Sequence, residues 1–134
     1  MPLPSVVSWE DRAMLEGKLA GLKPMTEDIS PITVEERQGR IEKARALMVE
    51  NDIAAVCLEA GSSLFYFTGV RWERSERMMA AVMPAKGEIA YVCPAFEEAR
   101  LRELIASGDE VRVWEEDESP YEVAVGIFRD RGIT

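Results

Sequence analysis

The sequence predicts an α/β domain in which helices and short strands alternate, and three stretches carry that prediction. Thr33-Val34-Glu35-Glu36 is a capping-box signature at the head of a helical apolar pattern, which then feeds the continuously apolar run 53–58. Two further strand-like runs, 78–83 and 88–93, flank the short connection Pro84-Ala85-Lys86-Gly87, the spacing of an antiparallel hairpin. Ser119-Pro120 followed by Glu122 opens a second clearly marked helix. Helices and strands in this order pack as layers around one core. A length of 134 residues with 47% hydrophobic side chains suits one such domain.

Taken in order, residues 1–32 read as an N-terminal extension and residues 33–134 as the α/β domain. In the extension Ser8 and Asp11 supply a helix cap, and Trp9, Ala13, Leu19 and Leu22 a loose apolar stripe. Lys23-Pro24 and Ser30-Pro31 then interrupt the chain, because proline pushes the preceding residue out of the helical region. Such an arm packs either on its own domain or on a second subunit. After Thr33, Ile41, Ala44, Leu47 and Met48 fall on one helical face and Glu42, Lys43, Arg45 and Glu50 on the other, with a stop expected near Asn51-Asp52. The run 53–58, apolar throughout and bounded by turn residues, predicts an interior strand covered on both faces.

Gly61-Ser62-Ser63 opens a turn, and residues 64–68 form one helical turn ended by Gly69. The charged stretch 71–77 leads into the hairpin. Pro94 introduces a helix with Phe96, Leu101, Leu104 and Ile105 on its apolar side, ended by Ser107-Gly108-Asp109. Val111 and Val113 alternate with Arg112 and Trp114 in a fourth strand. In the last helix Tyr121, Val123, Ala124, Val125, Ile127 and Phe128 supply the apolar surface and Gly132 the C-terminal cap. Only Ile133 and Thr134 come after it, where a helix normally delivers the chain into another strand. The sequence therefore reads as a piece of a longer protein, truncated before its last strand, whose open sheet edge invites intermolecular pairing.

Composition excludes several function classes. The net charge of −9, from 25 acidic against 16 basic residues, argues against nucleic acid as a partner, since backbone binding needs a clustered positive surface. No apolar run approaches the ~18 residues that cross a bilayer, and the N-terminus lacks the basic-then-apolar pattern of a secretory signal. The expectation is a cytoplasmic protein with no membrane partner. Cys57 and Cys93 sit in apolar, strand-like segments without metal-ligand spacing and read as small core residues, with one disulfide the alternative. The chain contains no histidine, which removes Ser-His-Asp and Cys-His catalysis from it and a leading zinc ligand with them.

The stretch from Glu36 to Gly69 resembles the creatinase/prolidase N-terminal domain, which precedes the "pita-bread" catalytic domain in Xaa-Pro dipeptidases, aminopeptidase P and creatinase. The residues that carry the resemblance are Arg40-Ile41 with Ala44, Leu47 and Met48, then Asp52-Ile53-Ala54-Ala55, and above all Tyr66-Phe67-Thr68-Gly69, similar to the family's Tyr-Leu-Thr-Gly turn. The strand ending at Pro84, the turn Lys86-Gly87-Glu88 and the strand ending at Pro94 come in the family's order, so the likeness extends over roughly residues 34–134. Ser63 stands where the family usually has asparagine. The resemblance implies a three-layer α/β/α fold of ribonuclease H-like type with a mixed, roughly five-stranded sheet. It implies that two divalent metal ions are held by two aspartates, a histidine and two glutamates of a C-terminal catalytic domain, a partner absent from this sequence, so no catalytic or metal-ligating residue is assigned here.

It further implies a homodimer in which this domain borders the site for a proline-containing peptide. The residues after Gly69 are the candidates: Trp72 as an apolar wall for proline, and Arg71 or Arg74 as the guanidinium that pairs with a substrate carboxylate. Tyr66 is a further substrate-adjacent candidate. A solvated loop whose Trp72 packs on its own domain, and a Tyr66 inside the turn's core, are the alternatives. For function, the leading expectation is the non-catalytic domain of a prolidase-like metallopeptidase. A protein-interaction module from an inactive relative and the N-terminal domain of a creatinase-type amidinohydrolase stand beside it, and a ribonuclease H-like nuclease ranks last for want of strand-borne acids.

Overall fold

A computed structural model describes residues 8–134, and these divide into two units, one ending at Pro31 and the other running from Ile32 to Thr134. Residues 1–7, the start of the expected extension, lie outside the described residues. The first unit holds α1 (Trp9–Ala20), whose Ser8 cap accepts the Asp11 N–H at 3.1 Å and donates to the Asp11 carboxylate at 2.7 Å. None of the side chains of α1 is buried.

The second unit runs α2 (Val34–Glu50), β1 (Ala55–Glu59), α3 (Ser62–Thr68), β2 (Ala80–Pro84), β3 (Ala90–Pro94), a 3₁₀ turn (Ala95–Glu97) leading into α4 (Glu98–Leu104), β4 (Glu110–Trp114) and α5 (Pro120–Asp130). Local chemistry sets most of these boundaries. Thr33 Oγ1 accepts the Glu36 N–H at 3.1 Å, but the Glu36 carboxylate turns to Arg40 one helical turn on, so the capping box is only half made. Ser119 caps α5 in the same way, with Pro120 in the first turn. At the far end Gly132 takes φ +64° and Ile133 donates to the Phe128 carbonyl at 2.8 Å, closing the helix as expected.

The four strands form one mixed sheet in the order β1-β2-β3-β4, antiparallel at the first two seams and parallel at the third. The hairpin expected around Pro84-Ala85-Lys86-Gly87 is the β2–β3 seam. The sheet thus has four strands among the described residues where roughly five were expected. Its two faces carry two cores. On one, Leu58, Ala81, Met83, Tyr91 and Cys93 pack with Ile41 and Met48 of α2, Leu64 of α3 and Leu101 of α4. On the other, Val82, Val92 and Trp114 pack against Ala124 and Ile127 of α5. Every residue of β2 and β3 is buried, as central strands covered on both faces should be.

Four sequence expectations are corrected here. Among the described residues β1 is the end strand of the sheet, and only Leu58 among its residues is buried, because strand order is a long-range property that an apolar run does not encode. Cys57 is accordingly exposed while Cys93 is buried, and both thiols are free. Phe96 is 68% exposed because the chain after Pro94 begins as a 3₁₀ turn, whose three-residue pitch rotates it off the face that Leu101 buries. Leu47, expected on the covered face of α2, is also exposed.

Candidate functional site

β1, β3 and β4 point the same way, so their carboxyl ends lie along one edge of the sheet, each handing the chain to a helix: β1 to α3, β3 to the 3₁₀ turn and α4, β4 to α5. The segment 69–79 returns to β2 at that same end. In open α/β sheets, ligands bind outside the carboxyl ends of the strands, where loops diverge. The candidate residues after Gly69 therefore sit at the end of the sheet where a site is expected on topological grounds.

The turn that launches this segment is built from Thr68 and Gly69. The buried Thr68 hydroxyl donates to the Leu64 carbonyl at 2.7 Å and accepts the Val70 N–H at 3.1 Å. Gly69 caps α3 at φ +77°, a left-handed conformation that favours glycine, and a Cβ there would stand 3.0 Å from Arg37 Cζ. The Arg37 guanidinium lies against this turn: its Nη1 donates to the Ile32 carbonyl at 3.2 Å, and its buried Nε has no partner.

Arg71 is exposed and places its guanidinium 4.6 Å from the Phe65 ring centroid, while Arg37 approaches the same ring at 5.1 Å. Neither arginine has a carboxylate partner among the described residues, although eight other arginines do. Two cations left unneutralised in a chain of net charge −9 form a local positive spot suited to a carboxylate.

Arg74 is placed elsewhere. It pairs with Glu59 at 3.2 Å and lines, with Ser62, Met78 and Tyr121, a cleft of ≈ 610 Å³ beside β1 and α5. Trp72 does not offer the expected apolar wall: it is 6% exposed, joined to the core below the loop, with the Arg100 guanidinium 4.4 Å from its ring centroid. Tyr66 is not a core residue. It is 49% exposed in a cleft with Arg40, Leu47 and Phe67, under the Arg40 guanidinium at 4.2 Å, and its carbonyl accepts from Arg40 at 3.0 Å. The four candidates thus share no pocket: Arg74 and Tyr66 line separate clefts, Arg71 lies against Phe65, and Trp72 is buried.

Three residues that sequence reasoning passes over complete this surface. Arg37 is one of them. Arg77 bonds Glu116 at 2.7 Å and Glu76 at 2.9 Å and reaches toward Phe96, tying the 69–79 segment to the loops after β4 and β3. Arg100 is the third. Only the 37/40 spacing hints at a shared helical face; the aromatic partners come from distant segments. Among the described residues no group of three Cys, Asp or Glu side chains is placed to hold a metal ion. No described helix is long and apolar enough to cross a membrane.

The creatinase/prolidase N-terminal domain profile matches residues 40–132, well over half of the chain. Among curated relatives, the probable dipeptidase PepE of Mycobacterium tuberculosis (strain ATCC 25618 / H37Rv) is 34% identical over 91 residues, covering 66% of this chain and 24% of the relative. The crystal structure of dipeptidase PepE from Mycobacterium ulcerans superposes with a TM-score of 0.62 at 31% identity, over 73% of this chain and 27% of that one. The N-terminal domain of Xaa-Pro dipeptidase from Lactobacillus brevis, at 18% identity and a TM-score of 0.62, shares the fold over 69% of each chain. The matched segment spans about a quarter of the length of the curated relatives.

Proposed function

Because the chain belongs to the creatinase/prolidase N-terminal domain family, we propose that it serves as the non-catalytic N-terminal domain of a metal-dependent, prolidase-like Xaa-Pro peptidase. The observation that carries this reading is the match to one quarter of longer peptidases by a chain that holds no histidine and, among its described residues, no clustered carboxylates. The two metal ions and the acid–base chemistry belong, on this reading, to a separate C-terminal catalytic domain. This chain's part is to shape one wall of the substrate site and to help build a homodimer. The same reading places the protein in the cytoplasm, where the free thiols of Cys57 and Cys93 stay reduced.

Within that role Arg71 is the residue for a peptide carboxylate: exposed, without an acid of its own among the described residues, and steadied on Phe65. Arg74 is less available, being paired with Glu59, and Trp72 supports the loop from beneath instead of contacting proline. The test uses the full-length reading frame that contains this domain, loaded with Mn²⁺ or Zn²⁺ and assayed on Xaa-Pro dipeptides and on creatine. Hydrolysis of the dipeptides is expected. Arg71→Ala should raise KM about tenfold with kcat little changed, the loss of one charge-assisted bond made in ground and transition states alike. Turnover of creatine alone would move the reading to an amidinohydrolase, and no turnover with either metal would leave an interaction module.

A further inference from the structure

Among the described residues one buried side-chain nitrogen has no hydrogen-bond partner, and it is Nε of Arg37. A buried donor on a cation is costly to leave unpaired, so the arrangement calls for a reason. Arg37 lies near the head of α2, yet it does not extend into water. Its guanidinium fills the notch left by the missing side chain of Gly69, where a Cβ would stand 3.0 Å from Cζ and 3.1 Å from Nε and Nη1. Nη1 is tied to the Ile32 carbonyl, and Cζ lies 5.1 Å from the centroid of the half-buried Phe65 ring. Arg71, two residues past the glycine, approaches the same ring at 4.6 Å. Segments far apart in sequence, the head of α2 and the turn after α3, thus gather two like charges on one aromatic ring.

No acid among the described residues answers those charges: Glu36 is committed to Arg40 and Glu59 to Arg74, and Glu73 pairs with neither arginine. Two guanidiniums on one ring repel, and an anion beside them relieves the repulsion. We propose that Arg37 is the second arginine of the carboxylate site, a positioning residue that steadies Phe65 and the Gly69 turn for Arg71 and adds its charge to the field there. The division of labour follows from exposure and tethering. Arg71 is exposed and able to close on a ligand with its planar fork. Arg37 is half-buried, fixed by Ile32 and by the glycine notch, and acts through the ring and through space. A lone arginine on a flexible stem makes a weak anion site; a second, fixed cation on the same ring raises the potential and restricts where the first can rest. This inference rests on the reading of Arg71 as a carboxylate residue and extends it to α2; it needs no catalytic domain.

The test is a titration of the 134-residue chain with N-acetyl-L-proline, followed on the arginine Nε–H signals by proton–nitrogen correlation NMR. N-acetyl-L-prolinamide and sulfate serve as controls. The acid should bind saturably and move the signals of both Arg37 and Arg71, while the amide moves neither and sulfate acts only as general screening. Arg71→Gln should abolish the response. Arg37→Gln should weaken binding about threefold to tenfold, the size of one charge a few ångströms from the anion, and should flatten the salt dependence. Arg37→Lys keeps the charge without the planar packing and should recover part of the affinity. The Thr68 and Gly69 amide signals report whether the turn survives each change; where Arg37→Gln disturbs them, the wild-type response and Arg37→Lys decide. A response confined to Arg71, with affinity unmoved in Arg37→Gln, overturns the role given to Arg37. Equal binding of the amide or of sulfate overturns carboxylate recognition. In the full-length protein, dipeptide hydrolysis whose KM is indifferent to Arg37→Gln overturns this inference alone. Binding through both arginines in a full-length protein that hydrolyses nothing overturns the peptidase reading and leaves the site standing.

Discussion

Thr68 and Gly69 act as a pair: the hydroxyl closes α3 on one side and receives Val70 on the other, and the glycine makes the left-handed exit. The positive-φ glycines then differ by what surrounds them. At Gly108 a Cβ would stand 2.1 Å from the Ile89 carbonyl oxygen, at Gly69 it would meet the Arg37 guanidinium, and at Gly132 it would meet open space. Alanine substitutions should therefore destabilise in the order 108, 69, 132. Gly132→Ala should cost about 1–2 kcal/mol for the left-handed backbone alone and the others more, which urea denaturation midpoints will rank. Thr68→Val should cost about 1–3 kcal/mol by stranding the Val70 N–H. The Thr68-Gly69 turn is legible in sequence because a cap is a local device. The exposure of Tyr66 is legible too, from periodicity rather than composition: in a helix that buries Leu64 and Thr68, position 66 faces outward, and its aromatic character points the wrong way.

At the scale of elements, α5 is fastened to β4 by a charge network. The Glu110 carboxylate takes Arg131 and Arg112, Arg112 reaches Asp130 at 2.7 Å, and Arg131 also donates to the Glu88 carbonyl. Arg131 chiefly, with Arg112, holds the Glu110 carboxyl below the ordinary carboxylate range against the opposing effect of partial burial. A depressed folded-state pKa contributes stability that is present above the unfolded value and lost as pH falls through the folded one. Glu110→Gln should thus flatten the acid limb of the stability profile and raise amide exchange across residues 120–130 at neutral pH; an unaltered exchange pattern would deny the network this role. Element identity is largely readable from caps and periodicity. The end position of β1 among the described strands is not, because a short run of consecutive apolar residues looks the same in a central strand and in an end strand beside a cleft.

For the whole molecule, the sheet's interior imposes an alkaline limit. Burial, with Glu98 and Glu97 nearby, pushes the Cys93 thiol up to about 11 from 9.0, and burial pushes the Tyr91 phenol up as well. Both groups stay neutral in the folded state at a pH where the unfolded chain ionises. Their contribution is complete below the unfolded pKa and disappears as pH rises through the folded one. The urea midpoint should fall between pH 9 and about 11, and less steeply in Cys93→Val. The candidate surface is legible at this scale only as a segment: the sequence points to residues 71–74. It carries no sign that Trp72 faces inward, or that Arg37 on α2 and Arg77 on the same segment brace the loop, because those contacts join parts of the chain far apart in sequence.

The placement of the three tryptophans makes the domain its own spectroscopic instrument. Trp72 lies in the core under α2 and α4 with a guanidinium over its ring; Trp114 lies in the core under α5 and donates its indole N–H to the Met78 carbonyl at 3.0 Å; Trp9, 77% exposed, belongs to the first unit. Variants retaining a single tryptophan would give three separate colour signals, blue-shifted for the two buried rings and water-like for the third. Coincident melting of the Trp72 and Trp114 signals would show the two faces of the sheet unfolding as one cooperative body, while separate transitions would show α5 peeling from a surviving helix–sheet layer.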